Sequence, residues 1–310
     1  SFFSSQRIVT ILLLINNNFI KNNVFLFLFS DIIKKMLEKN EKKLKNIYFD
    51  AHFHWNFANF STEFCKNSTQ NDDFSIYGCS CAHSVEEWNF QIAENLKLQE
   101  KSMHKNLCSF GIHPQQVTNE SFSAQIDFLQ NLISNNKIDA IGEIGFDFFS
   151  DNFKQFAFQQ EELFNIQLEM AIKNQLPIVV HCRKANEKLF EYKKQLKKVP
   201  SVLFHSFMGT PIEAKSLIKN DINCFFSFGK QIFNNNKKVI QCVKEIPIEN
   251  LLLETDAPYQ FLKNETQTFR NEIINVYNGA FALRAENQNS KEDFDEFCEK
   301  ILQNAKNCFR

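Results

Sequence analysis

Two histidines one residue apart close the run Asp50-Ala51-His52-Phe53-His54, and chemically capable side chains recur at the ends of later apolar runs. Glu143 stands in Ala140-Ile141-Gly142-Glu143-Ile144-Gly145, His181 follows Pro177-Ile178-Val179-Val180, and His205 follows Ser201-Val202-Leu203-Phe204. Asp256 follows Leu251-Leu252-Leu253-Glu254-Thr255. Imidazoles ligate borderline divalent ions, and carboxylates can ligate, bridge or accept a proton. Period-2 alternation sends His52 and His54 to one side of a strand, which is half a metal site. Glu143 lies between glycines in an apolar stretch, where an ionised carboxylate is expensive unless paired or metal-bound. Glu254 and Asp256 also share a side, so that one can bind while the other orients ligands. One histidine ending an apolar strand is more often a hydrogen-bonded core residue. Two at equivalent places on successive strands, together with the H-x-H pair and two acids, read as a ligand set.

Four imidazoles and two carboxylates, with no thiolate, suit Zn²⁺, Mn²⁺ or Mg²⁺. One glutamate can bridge two such ions with its two oxygens. Two metals ~3.5–4 Å apart activate a water, moving its pKa from ~15.7 to near ~7, and stabilise charge on the attacked and leaving oxygens. The chemistry expected is hydrolysis assisted by two divalent metal ions, with Asp256 and Glu143 among the carboxylates that can ligate an ion or accept a proton.

Residues so distant in sequence meet only if their strands lie side by side with their C-terminal ends together. Runs 47–52, 74–80, 107–112, 140–145, 177–181, 201–205, 224–227 and 251–254 read as strands. Several are continuously apolar, as parallel strands covered on both faces are. Helical patterns fill 85–101, 121–135, 158–174, 185–198, 211–219 and 237–244, and 269–283 and 291–306 close the chain. Eight strands alternating with helices predict a closed (β/α)₈ TIM barrel, whose catalytic residues come from the C-terminal strand ends. The polar stretch 56–73 falls where a substrate-contacting loop of a barrel lies. No G-x-G-x-x-G or G-x-x-x-x-G-K-[ST] loop is present, which argues against a dinucleotide or nucleoside-triphosphate site.

The 310 residues suffice for one large barrel, and 23% charged and 44% hydrophobic residues are ordinary for a soluble domain. A net charge of −1 excludes a broad basic field, so a nucleic acid would be held locally by metals and a few cations. The 36 phenylalanines and the Asn and Lys runs are ascribed to the base composition of the source genome. Nine cysteines without a C-x-x-C pair indicate a reducing compartment, cytoplasm or nucleus, and no disulfide framework. Apolar runs 8–15 and 24–29 are shorter than the roughly 18–20 residues that span a bilayer. No small-residue cleavage site follows them. The chain begins with Ser, and Met36 is the expected natural start. Residues 1–35 are then an extension outside a single catalytic domain, 36–310, with no membrane attachment and no obligate protein partner.

From Ile47 onward the chain resembles the TatD family of metal-dependent deoxyribonucleases. The resemblance rests on DAHFH (50–54), GIHP (111–114), GEIGFD (142–147), PIVVHCR (177–183), FHSFMGT (204–210), ETDAPY (254–259) and RNE (270–272), with NAKNCF (304–309) similar to the family's closing segment. It implies a two-metal barrel in which His52, His54, Glu143 and Asp256 hold one ion, and Glu143, His181 and His205 hold the other. It further implies that His113 and Arg183 grip substrate phosphate, and that the substrate is DNA, single-stranded or at 3′ ends, cut exonucleolytically. Ser206, Met208 and Ile273 depart from the family's usual residues, which leaves the metal ligands intact and puts substrate shape in question. Lys230 reads as a solvated surface residue rather than a phosphate contact. The rival enzyme reading is hydrolysis of an amide, lactone or ester; a metal-binding scaffold without turnover is the other.

Overall fold

Each apolar run becomes a strand in the computed structural model, which describes residues 47–55, 74–99, 105–117, 122–287 and 293–310. The strands are β1 (Ile47–Phe53), β2 (Ser75–Ala82), β3 (Leu107–Phe110), β4 (Ala140–Asp147), β5 (Ile178–Arg183), β6 (Val202–Phe204), β7 (Cys224–Phe228) and β8 (Leu251–Leu253). They pair in sequence order, every neighbour parallel. Beyond the ladders, Asp256 N donates to the His52 carbonyl at 2.9 Å and His54 N donates to the Ala257 carbonyl at 2.7 Å. Those two bonds join the end of the first strand to the segment just after the last, so the seam of a (β/α)₈ barrel runs beside His52, His54 and Asp256.

The helices are α1 (Val85–Gln99), α2 (Ser123–Ser134), α3 (Asp151–Lys154), α4 (Ala157–Asn174), α5 (Asn186–Glu191), α6 (Lys193–Leu196), α7 (Pro211–Lys219), α8 (Lys237–Glu245), α9 (Ile273–Asn287) and α10 (Phe294–Cys308). The single helix expected over 185–198 is instead two, broken at Tyr192. There the ring packs edge-on to Phe164, with centroids 4.9 Å apart, and the hydroxyl donates to Glu161 at 3.0 Å. Helix α9 is pinned to β1 by Tyr277, whose hydroxyl accepts from Phe49 N and donates to the Phe49 carbonyl, both at 3.1 Å. The expected extension 1–35 and the loop 56–73 lie outside the described residues.

Every residue of β4 and β7 is buried. Phe110, Phe146, Phe204, Phe226 and Phe228 are fully buried, so much of the phenylalanine excess fills the core. Each such ring contributes about 1.5–3 kcal/mol relative to exposure. Eight cysteines among the described residues are free thiols, as the spacing without C-x-x-C pairs indicated. Among the described residues no helix is long and apolar enough to cross a membrane.

Two register slips matter for the site. The β1–β2 ladder shifts between Asp50 and Phe53, around His52, and the β4–β5 ladder shifts between Gly142 and Ile144, at Glu143. A bulge re-aims the side chain it carries, and barrel rims are where bulges concentrate. The glycines beside Glu143 allow the close approach. A Cβ on Gly145, whose φ is +141°, would lie 1.9 Å from the His181 carbonyl oxygen.

Candidate metal centre

All six sequence-derived ligands converge on the C-terminal mouth of the barrel, with Glu143 at the centre. Its Oε2 faces His52 Nε2 at 3.2 Å and His54 Nε2 at 3.5 Å. Its Oε1 faces His181 Nδ1 at 2.9 Å and His205 Nε2 at 2.5 Å. Asp256 Oδ1 is 3.6 Å from the Nε2 atoms of both His52 and His54. Ligands ~2.0–2.1 Å from a tetrahedral ion stand about 3.4 Å from one another. The spacing of these donors therefore fits shared cations.

For His54 and His181 the second ring nitrogen fixes which atom is free to ligate. His54 Nδ1 lies 3.1 Å from the Cys81 carbonyl, which can only accept, so Nδ1 carries the proton and the Nε2 lone pair faces the mouth. His181 Nε2 lies 3.0 Å from Asp147 Oδ2 and is likewise the protonated nitrogen, leaving Nδ1 to bind. Asp147 is well suited to this role: burial raises its pKa, but bonds from His181, Phe149 N and Gln115 bring it down to about 2. His52 Nδ1 and His205 Nδ1 are buried without a hydrogen-bond partner among the described residues.

The charges are mutually dependent. Burial alone would raise Glu143, yet His205, His113 and His52 outweigh it and hold the carboxyl well below its ordinary range. Burial likewise opposes ionisation of Asp256, and the bond from His54 with the charges of His52 and His205 keeps its pKa lowered. Burial and then the neighbouring His205 push His52 down to about 4. His54 and His205 go the other way, to about 10 and about 9, because the carboxylates outweigh burial: Asp256 and Glu143 for His54, Glu143 first for His205.

Glu254 and Asp256 divide the work that alternation left open. The buried Glu254 accepts from Ser206 N and Ser206 Oγ, both at 2.9 Å, and from Ser227 Oγ at 2.5 Å, so it ties together the ends of β6, β7 and β8. Asp256 is the one turned to the histidines, its Oδ2 accepting from Gln260 Nε2 at 2.9 Å.

His113 and Arg183 both line the mouth, a cavity of about 690 Å³. His113 Nδ1 accepts from Gln115 N at 3.1 Å, so the neutral ring carries its proton on Nε2, 3.2 Å from Glu143 Oε1. That makes it a donor into the site. Arg183 ends β5, with its guanidinium 3.5 Å over the Phe149 ring. Lys230 corrects the sequence reading in both forms. It is buried, ion-paired to Glu265 and, at 2.7 Å, to Glu272, and is neither solvated nor aimed at the metal site.

Two residues gained no role from sequence. Asp147 sits four residues after Glu143 on β4, an even spacing that placed it on the same side. His83 follows β2 directly, and its Nε2 is 3.2 Å from Glu143 Oε2. The strand expected to stop at residue 80 runs to Ala82, which carries this histidine to the rim.

The chain is similar to known proteins over most of its length. A family described as TatD related DNase matches residues 49–310. An uncharacterized metal-dependent hydrolase of Mycoplasma pneumoniae is 33% identical over 219 residues, 68% of this chain and 81% of the relative. A protein of Klebsiella pneumoniae named 3′-5′ ssDNA/RNA exonuclease TatD is 30% identical over 189 residues, 58% of this chain and 70% of the relative. Among solved structures, a TatD homologue from Escherichia coli K12 superposes with a TM-score of 0.70 at 25% identity, covering 84% of this chain and 97% of the other.

Proposed function

Because the chain belongs to the TatD family and is a metal-dependent hydrolase of that family, we propose that it hydrolyses phosphodiester bonds of DNA, releasing nucleotides from a 3′ end, with two divalent ions (Mg²⁺, Mn²⁺ or Zn²⁺) shared through Glu143. The observation that carries the reading is the division of the imidazoles between the two oxygens of that one carboxylate. His52, His54, Asp256 and Glu143 Oε2 would hold one ion; His181, His205 and Glu143 Oε1 would hold the other. Bound there, divalent ions supply a nucleophile from water near neutral pH and neutralise charge on phosphate oxygens.

The chain's own groups do the rest. Asp256, kept ionised by the histidines and oriented by Gln260, accepts the proton of the attacking water. His113 Nε2–H and the Arg183 guanidinium donate to the phosphate. A single-stranded end is favoured by the rim, where the Tyr259 ring lines the cavity and is 54% exposed. A base stacked on such a ring gains about 1–3 kcal/mol, which a small amide or lactone would not need. The name of the Klebsiella relative supports the same substrate class and polarity. In this reading the barrel domain, residues 36–310, is the catalytic unit.

The test is nucleotide release from end-labelled single-stranded DNA with added Mg²⁺ or Mn²⁺. Stepwise release from the 3′ end is expected, abolished by chelator and by Glu143→Ala, whose far-UV circular dichroism stays native. No release from protein shown by elemental analysis to hold its ions refutes the nuclease reading and directs the search to amide, lactone and ester substrates.

A further inference from the structure

His83 is a third imidazole on the Oε2 side of Glu143. Its Nε2 is 3.2 Å from Oε2, no farther than His52 and closer than His54. The potential ligand atoms of His54, Cys81, His83 and Glu143 all lie within 4.8 Å of one another. Cys81 drops out of that group, because its thiol donates to the Gly142 carbonyl at 2.9 Å. The remaining atoms are two imidazole nitrogens and a carboxylate oxygen around one point.

We propose that His83 is a direct ligand of the metal ion on the Oε2 side of Glu143, giving that ion a nitrogen-rich set with His52 and His54. The inference rests on the two-metal reading above. The alternative, a phosphate contact, fits less well. His113 shows what a donor looks like here, its Nδ1 bonded to Gln115 N so that Nε2 must carry the proton. His83 is held instead through its backbone: its N–H donates to Glu87 Oε2 at 2.7 Å, and Glu87 N–H donates to Ser84 Oγ at 3.1 Å. This turn at the start of α1 fixes where the ring stands, with Nε2 turned to Glu143 Oε2 as the Nε2 atoms of His52 and His54 are. A site with three imidazoles prefers Zn²⁺ or Co²⁺ to Mg²⁺, which favours all-oxygen ligands.

Co²⁺ binding to the full chain tests this, read by its visible absorption and by equilibrium dialysis. The wild-type chain is expected to bind two ions. In His83→Ala one of them should bind at least tenfold more weakly, with an altered absorption band, and added imidazole should restore much of both. His83→Gln, which keeps the side chain's length, guards against misfolding and should show the same weakening. Two ions held by both variants with unchanged affinity and spectrum overturn the proposal and leave the two-metal reading intact. The same unchanged metal binding with a raised KM for DNA assigns His83 to the phosphate and also overturns it. A wild-type chain that binds no ion overturns both readings.

Discussion

Asp147 never faces the proposed ions, yet Asp147→Asn should cost the site one of them. The Asp147 carboxylate accepts three bonds: Phe149 N at 2.8 Å on Oδ1, and Gln115 Nε2 at 2.7 Å and His181 Nε2 at 3.0 Å on Oδ2. An asparagine brings one accepting oxygen for those three donors. If that oxygen stays with Phe149 N, the new amide points its own hydrogens at His181 Nε2. The ring then loses its partner or moves its proton to Nδ1, the nitrogen that faces Glu143 Oε1 at 2.9 Å. If the oxygen turns to His181, the buried Phe149 N–H is orphaned, at about 1–3 kcal/mol. Loss of such an outer partner of a metal-bound histidine typically weakens metal binding 10–100-fold. Competition titration with a chromophoric chelator should show that loss for one ion of the pair, with activity restored by excess metal. Wild-type affinity for both ions in a folded Asp147→Asn protein would refute the tautomer assignment.

Metal binding should release protons and strengthen with pH. In the ion-free site His54 and His205 keep their protons up to about 10 and about 9, so at neutral pH an ion must displace them. Calorimetry in buffers of different ionisation enthalpy should report at least one proton released per chain, and no release would contradict the linkage. Gly145→Ala should destabilise the fold and loosen the His181 side together, since the added Cβ would sit 1.9 Å from the His181 carbonyl oxygen at a φ of +141°. A thermal melt lowered by the equivalent of about 1–3 kcal/mol, with weaker metal retention, is the expected result. Cys182→Ala should leave turnover within about twofold despite its place on the cavity wall, because burial pushes that thiol far above the range in which it could react. Initial rates with DNA settle that point.

The barrel and the convergence of His52, His54, Glu143, His181, His205 and Asp256 were legible because parallel strands put their C-terminal ends together, whatever the loops do. What stayed hidden depended on contacts with no local signature. His83 was missed because Cys81 and Ala82 are weak strand markers, and without them β2 stops short of the rim. Lys230 was misread because the acids that bury it lie 35 and 42 residues away in sequence. The bulges at His52 and Glu143 overrule simple alternation, and only the glycines around Glu143 hinted at one of them. Deepest of all is the state of each imidazole. His113 and His181 are the same residue type beside the same carboxylate oxygen, at 3.2 and 2.9 Å. A backbone N–H on the far nitrogen makes His113 a donor, while a carboxylate on the far nitrogen of His181 leaves its Nδ1 available to bind. No spacing rule distinguishes them, because the deciding partner in each case is set by tertiary structure around the ring rather than by the strand that carries it.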